Sequence, residues 1–64
     1  MDSEKLRHLL RHWIEHEREH VKKYHEWAQK LKNENPEVSE LLNEAIKKFK
    51  EGETLLEEAY KRLD

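Results

Sequence analysis

No cysteine occurs among the 64 residues, which excludes disulfides, thiolate metal sites and cysteine nucleophiles. Glycine and proline occur once each, as Gly52 and Pro36, so there is no glycine-rich phosphate loop and only one strong interruption of backbone regularity. No serine nucleophile motif is present either. Long apolar runs are missing as well: the longest are two residues, such as Leu9-Leu10 and Trp13-Ile14, far short of a membrane span or a signal-peptide core. A soluble, cytoplasmic protein with no membrane partner is the expectation. Positive charge is not in surplus, since 13 Lys and Arg face 15 Asp and Glu for a formal net charge of −2. A protein that lives by neutralising phosphates needs that surplus, so no nucleic-acid partner is expected.

What the chain does contain is charge and helix formers. Charged residues make up 44% and apolar residues 34%, a mixture rich in Glu, Lys, Leu and Ala that is typical of long helices and bundles. The apolar residues recur with helical spacing, which separates this composition from that of a disordered chain. At this length a chain buries only about 60% of its unfolded surface. A lone monomer is therefore marginal, and a partner is expected.

The periodicity predicts an all-α antiparallel helical hairpin as a single domain over 1–64, with helix one over about 3–32, a turn at 33–35 and helix two over about 36–63. Asp2 or Ser3 can cap the first helix. Asn33-Glu34-Asn35-Pro36 supplies the stop and restart: asparagine tolerates the left-handed geometry of a helix end, Asn35 can cap helix two, and Pro36 suits its first position. On helix one, Leu6, Leu9, Leu10, Trp13, Ile14, Val21, Tyr24, Trp27, Ala28 and Leu31 form a stripe roughly 140° wide at about 100° per residue. Helix two repeats the pattern with Leu41, Leu42, Ala45, Ile46, Phe49, Leu55, Leu56, Ala59, Tyr60 and Leu63. Each stripe is wider than one neighbour can cover, so the hairpin is expected to form a homodimer, a four-helix bundle.

The apolar pattern fails between Ile14 and Val21, where Glu15, His16, Glu17, Arg18, Glu19 and His20 stand in succession. On the helical wheel Glu17 and His20 fall inside the apolar sector and His16 lies at its edge, with His12 and Glu19 just beyond it. Helix two has a matching interruption at Gly52 and Glu53. Glu17 lies 18 residues before Asn35 and Glu53 lies 18 after it, so the two interruptions stand at the same height in a hairpin that turns there. Gly52 leaves room for a bulky side chain such as Trp13 or Trp27 to approach the backbone, at a cost of about 1 kcal/mol in helix propensity.

Half-buried carboxylates and imidazoles are costly unless paired, hydrogen-bonded or bound to a cation. The predicted ligand set for a divalent transition metal (zinc, nickel, copper or iron) is therefore His12, His16, His20, Glu17 and Glu53. His12, His16 and His20, each one turn from the next, could share an ion with residues of a partner chain. Alternatively, Glu17-x-x-His20 with Glu53 repeats the inward-facing carboxylate and imidazole pattern of di-iron bundles, which would suit a dinuclear oxidoreductase. A third reading is a structural dimerisation module, natural or designed, in which the polar layer only sets register. His8 and His25 are expected in water, Trp13, Trp27, Tyr24 and Tyr60 as core and interface anchors, and Lys47-Lys48 and Glu57-Glu58 as solvated faces.

The segment His12-Trp13-Ile14-Glu15-His16-Glu17-Arg18-Glu19-His20 resembles the His-Trp-Ile-Glu-His-Asn-x-Glu-His signature of a family of short archaeal and bacterial helical-hairpin proteins. It covers mainly helix one. The resemblance implies that His12, His16, Glu19 and His20 act as a unit. At position 17 this chain has Glu where the signature has Asn, a departure that weakens the di-iron reading for the family. The resemblance carries over no activity.

Overall fold

The computed structural model describes residues 3–63 and contains two helices, α1 (Ser3–Leu31) and α2 (Pro36–Arg62). Asp2, one of the two expected caps of α1, lies outside the described residues. The helices lie side by side in a rod measuring 50 × 15 × 12 Å between Cα extremes.

Local chemistry accounts for the turn. The Asn35 side chain accepts a hydrogen bond from the Val38 N–H at 3.3 Å, and Pro36 begins α2 where a missing N–H costs nothing. The end of α1 is closed by the Asn35 N–H donating to the Leu31 carbonyl at 2.8 Å and the Lys32 N–H donating to Gln29 at 3.3 Å. No described residue has a positive φ. The left-handed asparagine expected at the helix end is therefore not used, because these bonds satisfy the terminal carbonyls without it.

The contact between the helices is a narrow seam rather than the whole apolar stripe. On α1 it follows Leu10, Ile14, Glu17, Val21, Tyr24, Ala28 and Leu31, and on α2 Ser39, Leu42, Ile46, Phe49, Glu53, Leu56 and Tyr60, with Leu63 just beyond the helix end. These are alternating steps of three and four residues, the period that keeps a helix face toward one neighbour. The buried apolar core consists of Leu10, Ile14, Val21, Ala28 and Ile46, and the buried Ser39 closes it near the turn. Ser39 Oγ donates to the Ala28 carbonyl at 2.8 Å, so a small polar residue and an alanine let the helices approach closely where the chain reverses.

At the other end Arg7 occupies a seam position. Its guanidinium donates to the Leu63 carbonyl and lies 5.8 Å from the centroid of the Tyr60 ring. A cation at the carboxyl end of α2 meets the negative end of the helix dipole. Its buried Nε has no hydrogen-bond partner, so the contact is stabilising at one end of the group and costly at the other.

Candidate functional site

The seam divides each helix into two flanks, and the flanks differ in chemistry. Arg18 and His20, two residues apart, point about 160° away from one another at 100° per residue. Arg18 is on the charged flank. It reaches across to α2, where its Nε donates to Glu53 and its Nη2 to Glu57 at 2.6 Å. Both carboxylates raise the pKa of the guanidinium further above its ordinary value, Glu53 most. An open groove lined by Arg11, Ile14, Glu15, Arg18, Glu57 and Tyr60 runs along this side.

The opposite flank is apolar and uncovered. Seven large apolar side chains among the described residues are exposed: Leu6, Trp13 and Trp27 on α1, and Val38, Leu41, Phe49 and Leu55 on α2. The helical step puts them on this flank, Phe49 at its border with the seam. Trp27 is 57% exposed, Leu41 64% and Leu55 70%. Leu6, Trp13, His20 and Trp27 recur every seven residues, as do Val38, Ala45, Gly52 and Ala59, so bulky side chains edge α1 while α2 carries small ones after Val38.

The histidines lie on and beside this flank. His12 and His16 have ring centroids 5.6 Å apart and His16 and His20 5.1 Å; His20 stacks on Tyr24 at 6.0 Å, and Tyr24 meets Phe49 of α2 at 5.4 Å. The result is a ladder of rings at four-residue spacing that ends on the second helix. All three imidazoles are exposed. His20 belongs to the apolar flank, His16 to its outer shoulder, and His12 to the side of α1 turned away from α2.

The predicted ligands thus separate into two groups. His12, His16 and His20 stand together. Glu17 is half-buried in the seam, and the Glu53 side chain, only 15% exposed, is held by Arg18. Among the described residues no group of three or more His, Asp or Glu is placed to hold a metal ion. The equal height of the two polar interruptions is as expected, since Arg18 joins Glu53 directly. Arg18 is the site residue that sequence reasoning missed. Its signal was present, a lone cation within an acidic run, but its partners lie 35 and 39 residues away. Glu57, expected on a solvated face, is half-buried in that pair.

Gly52 also departs from expectation. A Cβ built there would meet no heavy atom within 4 Å, so neither Trp13 nor Trp27 of the same chain occupies the space. His8 and His25 are exposed, as expected. No described helix is long and apolar enough to cross a membrane.

Comparison with known proteins gives two matches. The model of a domain of unknown function, DUF8180, matches residues 6–63. An uncharacterized protein of Archaeoglobus fulgidus is 46% identical over 56 residues, covering 88% of this chain and 90% of that protein. No solved structure matches.

Proposed function

The chain belongs to the DUF8180 family, and from the geometry of its hairpin we propose that it is a self-associating, metal-binding protein. Two copies cover one another's apolar flank to make a four-helix bundle, and His16 and His20 of each copy supply imidazole ligands for a divalent transition metal. One observation carries this reading: the histidine pair interrupts, at mid-height, the flank that holds the exposed tryptophans and leucines. Two imidazoles one turn apart on a helix have the spacing at which they can share an ion, and a closed tetrahedral site needs four ligands. One chain offers two on this flank; a two-fold dimer offers four. His12 extends the ladder at its outer end, and the reading includes the expectation that the His12 to His20 segment is shared across the family.

A dinuclear carboxylate centre on Glu17, His20 and Glu53 has less support, because Arg18 already neutralises Glu53 and stands on the other side of the seam from His20. The test is zinc or nickel titration of untagged, chelator-treated protein by calorimetry, with sedimentation equilibrium on the same samples. Uptake of about one ion per two chains is expected from a four-ligand site. His16→Ala and His20→Ala should each lose that uptake while His8→Ala keeps it. Wild-type protein that takes up no metal, or variants at 16 and 20 that bind as wild type does, would overturn the metal reading.

A further inference from the structure

The surface of the hairpin is too large for its mass. It exposes 5676 Å², whereas a folded monomer of 7.9 kDa exposes about 4,400 Å² by the usual scaling. The excess is roughly 1,300 Å², more than the ~800 Å² that each partner covers in a standard stable complex. The radius of gyration, 14.9 Å, likewise exceeds the ~11 Å of a compact domain of this length. A partner of similar length lying along the rod would correct both.

The pattern on the apolar flank points to a second copy and to one symmetry. Glu53 is held by Arg18, which sets the neighbouring Gly52 at the height midway between His16 and His20. About that height the flank is similar in both directions: Trp13 with Leu9 and Leu6 lies toward the open end, and Trp27 with Leu41 and Val38 toward the turn. On α2, Ala45 and Ala59 are equidistant from Gly52. A two-fold axis lying in this flank across the helices pairs each residue above that height with one equally far below it, and with apolar side chains in both directions the flank is complementary to its own copy.

We infer that the occupant is a second copy related by a two-fold axis perpendicular to the helices at the height of Gly52, so that α2 meets its own copy along Ala45, Gly52 and Ala59 and α1 meets its own copy at His16 and His20. The inference rests on the proposed self-association but not on the metal. Gly52, with open space beyond its Cα within one chain, faces the partner's Gly52, and Ala45 faces the partner's Ala59; the two α2 helices approach closely there. Across α1 the four imidazoles surround the axis. The turn end of one copy covers the open end of the other, placing Trp27 against the partner's Leu9. An axis parallel to the helices would instead set α1 on the partner's α2. It would bring Lys23 beside the partner's Lys48, two exposed cations at similar height, and would keep the two histidine pairs on opposite sides of the bundle.

Because the chain has no cysteine, single cysteines can report the arrangement, with chelator present so that metal plays no part. With oxidised glutathione as the two-electron oxidant, and at chain concentrations well above the dimer dissociation constant, Gly52→Cys should form a disulfide-linked dimer, and a mixture of Ala45→Cys and Ala59→Cys chains a mixed one. Both should form about tenfold or more faster than Asn33→Cys in the turn, since pairing raises the effective concentration of the thiols. The alanine pair keeps the test available if Gly52→Cys fails to fold, with helicity checked by circular dichroism. Efficient mixed crosslinking of Trp27→Cys with Ala45→Cys, accompanied by none at Gly52→Cys or between positions 45 and 59, would replace this axis with the parallel one. Sedimentation of the wild type keeps the two levels apart: a monomer at all concentrations ends the self-association itself, whereas a dimer with the wrong crosslinks ends the symmetry, and with it the sharing of one ion by four histidines, but leaves the self-association standing.

Discussion

Replacing Gly52 with alanine separates what the single chain needs from what the dimer needs. Gly52 is in the interior of α2, without a positive φ, and a Cβ there meets nothing within 4 Å. No steric cost opposes the change within one chain. Alanine should therefore stabilise the isolated hairpin by about 1 kcal/mol through helix propensity alone, which for a domain of this size raises Tm by about 4–8 °C. In the proposed dimer the same methyl group enters the closest approach of the two α2 helices, where overpacking costs about 1–3 kcal/mol, equivalent to a five- to 150-fold weaker dimer. The two effects have opposite signs and separate with concentration. Thermal melts by far-UV circular dichroism at dilutions where the chain is monomeric should show the gain, and sedimentation equilibrium should show the weakened association. A Tm that falls at high dilution would refute the reading of open space around Gly52. A raised Tm with unchanged dimer affinity would refute the close approach of α2 to its copy.

Two further predictions follow from the seam. Arg18→Ala removes a cation that Glu53 and Glu57 share across the helices, so it should destabilise the hairpin to denaturant more than Arg11→Ala, whose pair with Glu15 spans 3.7 Å between two exposed side chains and belongs to a class worth little; equal effects in urea titrations would refute the bridging role. Ser39→Ala removes the donor to the Ala28 carbonyl in the buried end of the seam and should cost about 1 kcal/mol, again read as a shift in denaturation midpoint, with no loss refuting a contribution from that bond.

The helices, their limits and the turn could be read from the residues because each depends on neighbours close in the chain. A helix of Glu, Lys, Leu and Ala with an apolar period, ended before a proline and restarted by Asn35, is a local matter, and the boundaries at Leu31 and Pro36 agree with that reading. The exposure of His8 and His25 and the common height of Glu17 and Glu53 were legible for the same reason: helical angle and distance from the turn can both be counted along the chain.

The sequence by itself therefore determined a two-helix hairpin with more apolar surface than two helices can use. Which part of each stripe becomes the seam was decided only when the helices met, because a straight neighbour can contact little more than a three-four repeat of positions. That choice buried Leu10, Ile14 and Ile46, left Trp13 and Trp27 outside, and placed Arg18 and His20 on opposite flanks although they are two residues apart. The pairing of Arg18 with Glu53 likewise required a contact between residues 35 positions apart. No period along one helix reports such a contact, because it depends on how far each helix is turned about its own axis relative to the other.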